Sequence, residues 1–150
     1  MQNERPIKDF VAAKGVVIYQ GRVLFLRESG SYLDGSNIGK FDIPGGRLNP
    51  GEEWIPGLRR EILEETGLVI ADARPFYVRD WRVTRPTEDW HIHAVFFAVP
   101  VDSDQVRLSD DHDDYVWIAP AFADQKIPLM KGYQDILMCL ITEFTGQYGL

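Results

Sequence analysis

The sequence is poor in cysteine: Cys139 stands alone, which excludes an internal disulfide framework and any multi-cysteine zinc site. No apolar run approaches the roughly 20 residues a helix needs to cross a bilayer, so no membrane partner is expected. Residues 1–9 are polar and charged and lack the apolar centre of a signal peptide. Together these absences point to the cytoplasm. Positive charge is also scarce, 16 Lys and Arg against 23 Asp and Glu, for a formal net charge of −7. General affinity for nucleic acid needs basic patches, so that class is disfavoured. An anionic small molecule remains admissible if local basic groups or a bound cation offset the repulsion. Repeats, low-complexity stretches and linkers are absent too. The 150 residues, 45% of them hydrophobic, suit one domain spanning 1–150 that buries its own core.

What is present alternates between strand and helix signals. Residues 11–19 and 22–27 are β-rich runs separated by Gln20-Gly21, a hairpin pattern. Residues 28–40, with Gly30, Asp34, Gly35 and Asn37, read as a long loop, and such loops are often functional. Phe41-Asp42-Ile43 is a short strand that stops at Pro44-Gly45-Gly46. A helix is expected within 52–66, strand-like segments over 68–83 and 91–101, and a short strand at 115–118. Helical spacing over 129–144 (Leu129, Tyr133, Ile136, Leu137, Leu140, Phe144) closes the chain. The order predicts an α/β fold, a mixed sheet flanked by helices.

The stretch 46–68 carries the chemistry. Asn49-Pro50-Gly51 suits a turn, and Glu52 and Glu53 then sit at the end of the helix dipole that favours carboxylates. Gly67 is placed to end the helix in the left-handed conformation. At 100° per residue, Leu58 and Ile62 share an apolar face, with Ile55 if the helix reaches back that far. Glu61, Glu64 and Glu65 occupy an adjoining arc about 100° wide. Like charges at these spacings cost roughly 0.2–0.5 kcal/mol per pair. The negative end of the dipole adds roughly 0.3–1 kcal/mol for each of Glu64 and Glu65. Arg60 relieves part of this, for instance by pairing with Glu64 at i+4. A divalent cation would offset far more. Oxygen-only ligands favour Mg²⁺ or Mn²⁺ over zinc. The plainer reading of three such glutamates is a solvated acidic helix face.

The complete spacing decides between them. It resembles the Nudix box, Gly-x5-Glu-x7-Arg-Glu-U-x-Glu-Glu-x-Gly-U with U a bulky aliphatic. Gly46, Glu52, Arg60, Glu61, Glu64, Glu65 and Gly67 fill every fixed position, and Ile62 and Leu68 the aliphatic ones. Chance occurrence, at roughly 7% usage per fixed residue, is of order one in ten million. The strand pair before the box, the Phe-Asp-Ile-Pro-Gly-Gly approach and the later Tyr-Val-Trp-Ile run look like the same family. The resemblance implies an α/β/α sandwich with a mixed sheet, and metal-assisted attack of water on a P–O–P bridge of a nucleoside diphosphate derivative. It implies that Glu61, Glu64 and Glu65 bind the metals, with the Gly46 carbonyl as a further ligand. Glu52 and Arg60 would fasten the loop to the helix. Pro56-Gly57 departs from the good helix formers usual there, so the helix is frayed or starts as late as Pro56.

Other candidates lie outside the box. Asp111 stands six residues before Trp117, where many family members carry a catalytic glutamate; it is either a ligand or base, or part of a solvated acidic loop. His91 and His93 face the same way on a strand, as substrate contacts or as a half-exposed sheet face. Trp81, Trp90 and Phe76 could stack on a base. Arg27, Lys40, Arg47, Arg79 and Arg82 are possible phosphate partners, and Cys139 is expected in the core. The extended motif of NADH hydrolases is missing, and Tyr77 lies closer to the box than the tyrosine of dinucleoside polyphosphate hydrolases. The expected partner is a small nucleotide, a nucleoside triphosphate ahead of a nucleoside diphosphate sugar, and a homodimer is left open. The rival functions are a Nudix-fold sensor that binds without cleaving and a hydrolase of RNA ends.

Overall fold

The first apolar run forms the spine of the sheet. In chain order the elements are β1 (Ile7–Tyr19), β2 (Arg22–Glu28), β3 (Phe41–Asp42), β4 (Gly45–Arg47), α1 (Trp54–Thr66), β5 (Arg74–Thr84), β6 (Asp89–Pro100), β7 (His112–Ile118), α2 (Ala123–Lys126) and α3 (Tyr133–Glu143), with a 3₁₀ turn at Pro120–Phe122. The structure, a computed structural model, describes residues 4–30 and 38–150, so most of the 28–40 loop lies outside the described residues. Ala12 to Ile18 of β1 are buried without interruption, as befits a strand covered on both faces. β1 runs parallel to β6 from Ile7↔Asp89 to Ile18↔Pro100. Its C-terminal end turns into β2 through Gln20 and Gly21, at φ 48° and 74°. Two positive φ values in a two-residue loop suit the twist of a hairpin. The strand order is β3-β2-β1-β6-β5, with β4 added to β1 and β7 to β2.

The two faces of β1 feed two cores. Ala12, Val16 and Ile18 pack with Ile136, Leu137, Leu140 and Phe144 from α3 and its end. Ala13 and Val17 pack with Leu58 and Ile62 of α1, Ile55 joining at the margin. The result is a mixed sheet between helices, the α/β/α sandwich that the resemblance implied. Among the described residues no helix is long and apolar enough to cross a membrane.

Several boundaries differ from the sequence reading. Gly45–Arg47 does not end the strand region but forms β4 on β1, Ala13 opposite Gly46. The stretch 68–73 alternates, with Leu68 and Ile70 buried and Val69 82% exposed, yet it is not a strand. The amide of Leu68 bonds instead to the Thr66 hydroxyl at 3.1 Å, and β5 begins only at Arg74. The last helix starts at Tyr133, because Gly132 adopts φ 83° ahead of it and Leu129 is drawn into a bridge with Phe41. Cys139 is half-buried rather than core. Helix α1 begins at Trp54, earlier than Pro56, which sits in the first turn where a missing N–H costs nothing. Gly57 has a packing reason: a Cβ there would lie 2.3 Å from Leu48 Cδ2 and 2.9 Å from Glu52 Oε1.

Candidate active site

Three pieces of chain meet at the C-terminal half of α1: the helix itself, the Gly45-Gly46 strand and the turn at Asn49 to Gly51. Arg60 ties them together. Its Nε and Nη2 donate to the two Glu52 carboxylate oxygens, each at 2.8 Å, and Nη2 also reaches the Arg47 carbonyl at 3.4 Å. Glu52 accepts the Asn49 amide at 3.0 Å as well. The Arg60 guanidinium and that amide lower the Glu52 pKa from its ordinary 4.5 to about 2. The fastening role that the family resemblance implies for this pair is therefore visible in the contacts. Arg60 Nη1 bridges Glu61 at 2.9 Å and Glu64 at 3.3 Å, the latter the i,i+4 pairing anticipated from spacing.

The three box glutamates share one helix side but differ in surroundings. Glu64 is exposed, whereas Glu61 and Glu65 are half-buried. The Glu61 carboxylate rests on Gly46, where a Cβ would come within 2.9 Å of its Oε2. Glu65 accepts the Gly45 amide at 3.2 Å. Burial pushes the Glu65 carboxyl up to about 8; Lys14 and the Gly45 amide oppose the shift, and Glu61 and Asp42 reinforce it. Gly67 closes the helix at φ 72°, its amide on the Leu63 carbonyl.

This arrangement fits a hard cation. All donors are oxygens, and the bare Cα of Gly46 leaves room for the Glu61 carboxylate against the backbone there. Desolvation of the Glu65 carboxyl outweighs the pull of Lys14, and a bound cation would offset it. The ligand oxygens of the three glutamates do not all approach within 4.8 Å, and Arg60 stands between two of them.

A second group lies next to the glutamates and was missed by the sequence reading. Lys14, buried on β1, pairs with Asp42 at 3.2 Å. Asp42 in turn is hydrogen-bonded to the buried Tyr133, whose hydroxyl is held well above its usual pKa by burial. His112 is half-buried beside them, its buried Nδ1 without a hydrogen-bond partner among the described residues. Burial lowers its pKa against the pull of Asp42. A lone lysine inside the apolar run 11–19 was the available signal; nothing in the sequence tied it to Asp42 or His112. Asp111 sits exposed in the turn before β7, its backbone carbonyl accepting the Ser29 amide at 2.9 Å.

Tyr133 also lines a cleft of about 430 Å³ with Lys40, Arg79, Trp81, Arg82 and Lys131. Three of the five predicted phosphate partners therefore share a cleft that also contains Trp81. The other two are engaged elsewhere. Arg27 binds Asp113 at 2.7 Å, and Arg47 lies 4.7 Å from the ring centres of both Phe10 and Trp90. Trp90 is thus packed between residues of its own sheet, and Phe76 packs edge-on against Phe144 at 5.9 Å. His91 and His93 point to the α1 side of the sheet and contact Asp80 and Asp9.

A mixed sheet between helices, with a carboxylate helix fastened to a Gly-Gly strand, defines a Nudix-type domain. The family model described as NUDIX domain matches residues 9–138, and the chain belongs to that family. Among curated proteins it is similar to the nucleoside triphosphatase NudI of Salmonella arizonae, 33% identical over 90 residues. That match covers 55% of this chain and 63% of the relative, so it spans less than two thirds of the relative's length. Among solved structures it resembles a MutT protein of Methanosarcina mazei at a TM-score of 0.77 and 27% identity, covering 93% of this chain and 96% of that one. The E. coli ORF135 protein aligns at a TM-score of 0.70 and 20% identity, with 94% of each chain covered, a likeness of fold.

Proposed function

We propose that the protein hydrolyses a pyrophosphate bond in a small nucleotide, with a nucleoside triphosphate as the preferred class. The observation that carries this reading is the half-buried Glu61–Glu65 pair against Gly45-Gly46, linked through Lys14, Asp42 and Tyr133 to a cleft rich in basic residues and bearing Trp81. Glu61, Glu64, Glu65 and the Gly46 carbonyl are the groups to hold Mg²⁺ or Mn²⁺. When bound, such an ion stabilises charge on the phosphate oxygens and lowers the pKa of the attacking water.

The chain's own residues divide the remaining work. Arg60 and Glu52 fix the helix against the Asn49 turn, so the glutamates keep their positions as charge develops. Lys40, Arg79, Arg82 and Lys131 supply the local positive field that a chain of net charge −7 otherwise lacks. Trp81 offers a ring for base stacking, which tolerates any base. A box glutamate accepts the proton of the attacking water, with Asp111 the candidate outside the helix. The triphosphate preference is supported by the similarity to proteins named nucleoside triphosphatases. The test compares kcat/KM for nucleoside triphosphates, sugar nucleotides and dinucleoside polyphosphates at fixed Mn²⁺. Triphosphates should lead with loose base selectivity. A preference of about a thousandfold for another class, roughly 4 kcal/mol of dedicated contacts, would overturn the choice.

A further inference from the structure

Three sheet strands bring a second set of metal-binding groups together, on the α1 side of the sheet beside the start of that helix. In the parallel β1–β6 pair Asp9 lies opposite His91 and Val11 opposite His93. In the antiparallel β5–β6 pair Asp80 lies opposite His93. His93 Nε2 is 2.8 Å and His91 Nδ1 3.5 Å from the same Asp9 oxygen, and one ligand atom from each of the three residues lies within 4.8 Å of the other two. The other nitrogen of His91, Nε2, is 2.6 Å from Asp80 Oδ2. The imidazole rings are 4.0 Å apart, centre to centre.

We propose that Asp9, His91 and His93 bind a first-row transition ion, Zn²⁺ foremost, at a site separate from the box glutamates, with Asp80 orienting His91. Ligand–metal bonds near 2.0–2.2 Å in a tetrahedral site place ligand atoms roughly 3.3–3.6 Å apart. The His91–Asp9 separation of 3.5 Å already matches, and the 2.8 Å His93–Asp9 hydrogen bond would open as the ion replaces its proton. Two imidazoles and one carboxylate select zinc or a neighbouring ion over the hard Mg²⁺ that the box favours. Asp80 supplies the outer carboxylate that such sites use. Accepting the Nε2 proton of His91, it leaves the Nδ1 lone pair free for the metal and fixes the ring. The carboxylates of Asp9 and Asp80 are both exposed and bring two negative charges to the pair of imidazoles, which a divalent cation would offset. Arg82 acts on Asp9 electrostatically but is also part of the basic cleft. His93 and Asp80 further line a groove of about 390 Å³ with Val11, Trp54 and Val78, so a fourth coordination position has space for water or a ligand.

Ordinary histidine–aspartate pairing is the competing explanation, and NMR of the histidine rings separates the two. The chain has three histidines, His91, His93 and His112, which makes the spectrum assignable. One equivalent of Zn²⁺ is added to the full chain in saturating Mg²⁺. The expected result is large shifts of the His91 and His93 rings with His112 unmoved. Asp80→Asn should then weaken zinc binding about ten- to a hundredfold, and His93→Gln by at least as much. Unchanged His91 and His93 signals at micromolar Zn²⁺ would overturn the proposal, as would shifts confined to His112 and the amides of residues 61–65. Undiminished affinity in both variants would also overturn it. The wild-type titration decides the matter even if a variant fails to fold.

Discussion

Glu65 and Glu52, both carboxylates of the box, sit in opposite electrostatic surroundings. Desolvation of the Glu65 carboxyl outweighs Lys14 and the Gly45 amide, and its pKa is raised to about 8. Replacing it, or Glu64, by Gln removes a charged ligand and keeps the shape. Turnover should fall about a hundredfold or more, by analogy with loss of a main electrostatic stabiliser. In the metal-free protein Glu64→Gln should leave Tm unchanged or slightly higher, since repulsion goes with the charge. Glu65, mostly protonated at neutral pH, has little charge to lose, so Glu65→Gln should leave Tm about unchanged. Steady-state kinetics and thermal melts check both halves; wild-type turnover in both variants would remove the ligand assignment. Glu52 is the converse case, held at about 2 by Arg60 and the Asn49 amide. Its folded pKa lies below the ordinary 4.5, so its stabilisation is complete above about pH 5 and fades as pH falls through 2. The Tm gap between wild type and Glu52→Gln should therefore be widest near neutrality and close between about pH 4.5 and 2. A gap independent of pH would contradict the clamp. The placement of the box residues was legible because it depends on spacing along one helix. Lys14, Asp42, His112 and Tyr133 were not, because strand pairing and the packing of α3 bring them together.

At the scale of elements, β4 is the piece that the sequence concealed. Pro44-Gly45-Gly46 looks like a terminator, yet Gly45 and Gly46 pair with Lys14 and Ala13, and the Gly45 amide turns toward Glu65 of α1. Gly45 has φ 127°, and a Cβ there would sit 2.2 Å from the Ala13 carbonyl oxygen and 2.7 Å from Lys14 Cα. Gly45→Ala is expected to cost roughly 2–4 kcal/mol through backbone strain and overpacking, and to loosen the amide on Glu65. Chemical denaturation measures it; a change under about 0.5 kcal/mol, the range of neutral surface substitutions, would mean that this close approach is not maintained in solution. Helix α1 teaches the same lesson through Gly57. Propensity alone marks it as a weakness of about 1 kcal/mol, whereas the space it leaves is filled by Leu48 and by the Glu52 carboxylate that Arg60 holds. Periodicity located the elements but not their ends. Leu68 and Ile70 alternate like a strand without a partner, and Gly132 rather than Leu129 sets the start of α3.

For the whole molecule, the layered architecture followed from the order of strands and helices and from one strand too apolar to have a wet face. The arrangement puts the carboxylate helix on one side of the sheet and α3 on the other, with Lys14, Asp42 and Tyr133 joining the box to the basic cleft. Substrate choice was the least legible property, since the cleft proposed to hold the nucleotide is lined by side chains from β5 and the segment before α3 that meet only in the fold. A global consequence of the crowded glutamates is that Mg²⁺ or Mn²⁺ should raise Tm, because an ion that binds only the folded chain stabilises it by mass action. The central claim is tested most directly by turnover of a nucleoside triphosphate by the full chain with Mn²⁺, then in excess chelator, then with Mn²⁺ restored. The account predicts hydrolysis, its loss, and its recovery, with Glu65→Gln nearly inactive throughout. Full activity in excess chelator, or equal activity in Glu65→Gln, would contradict it.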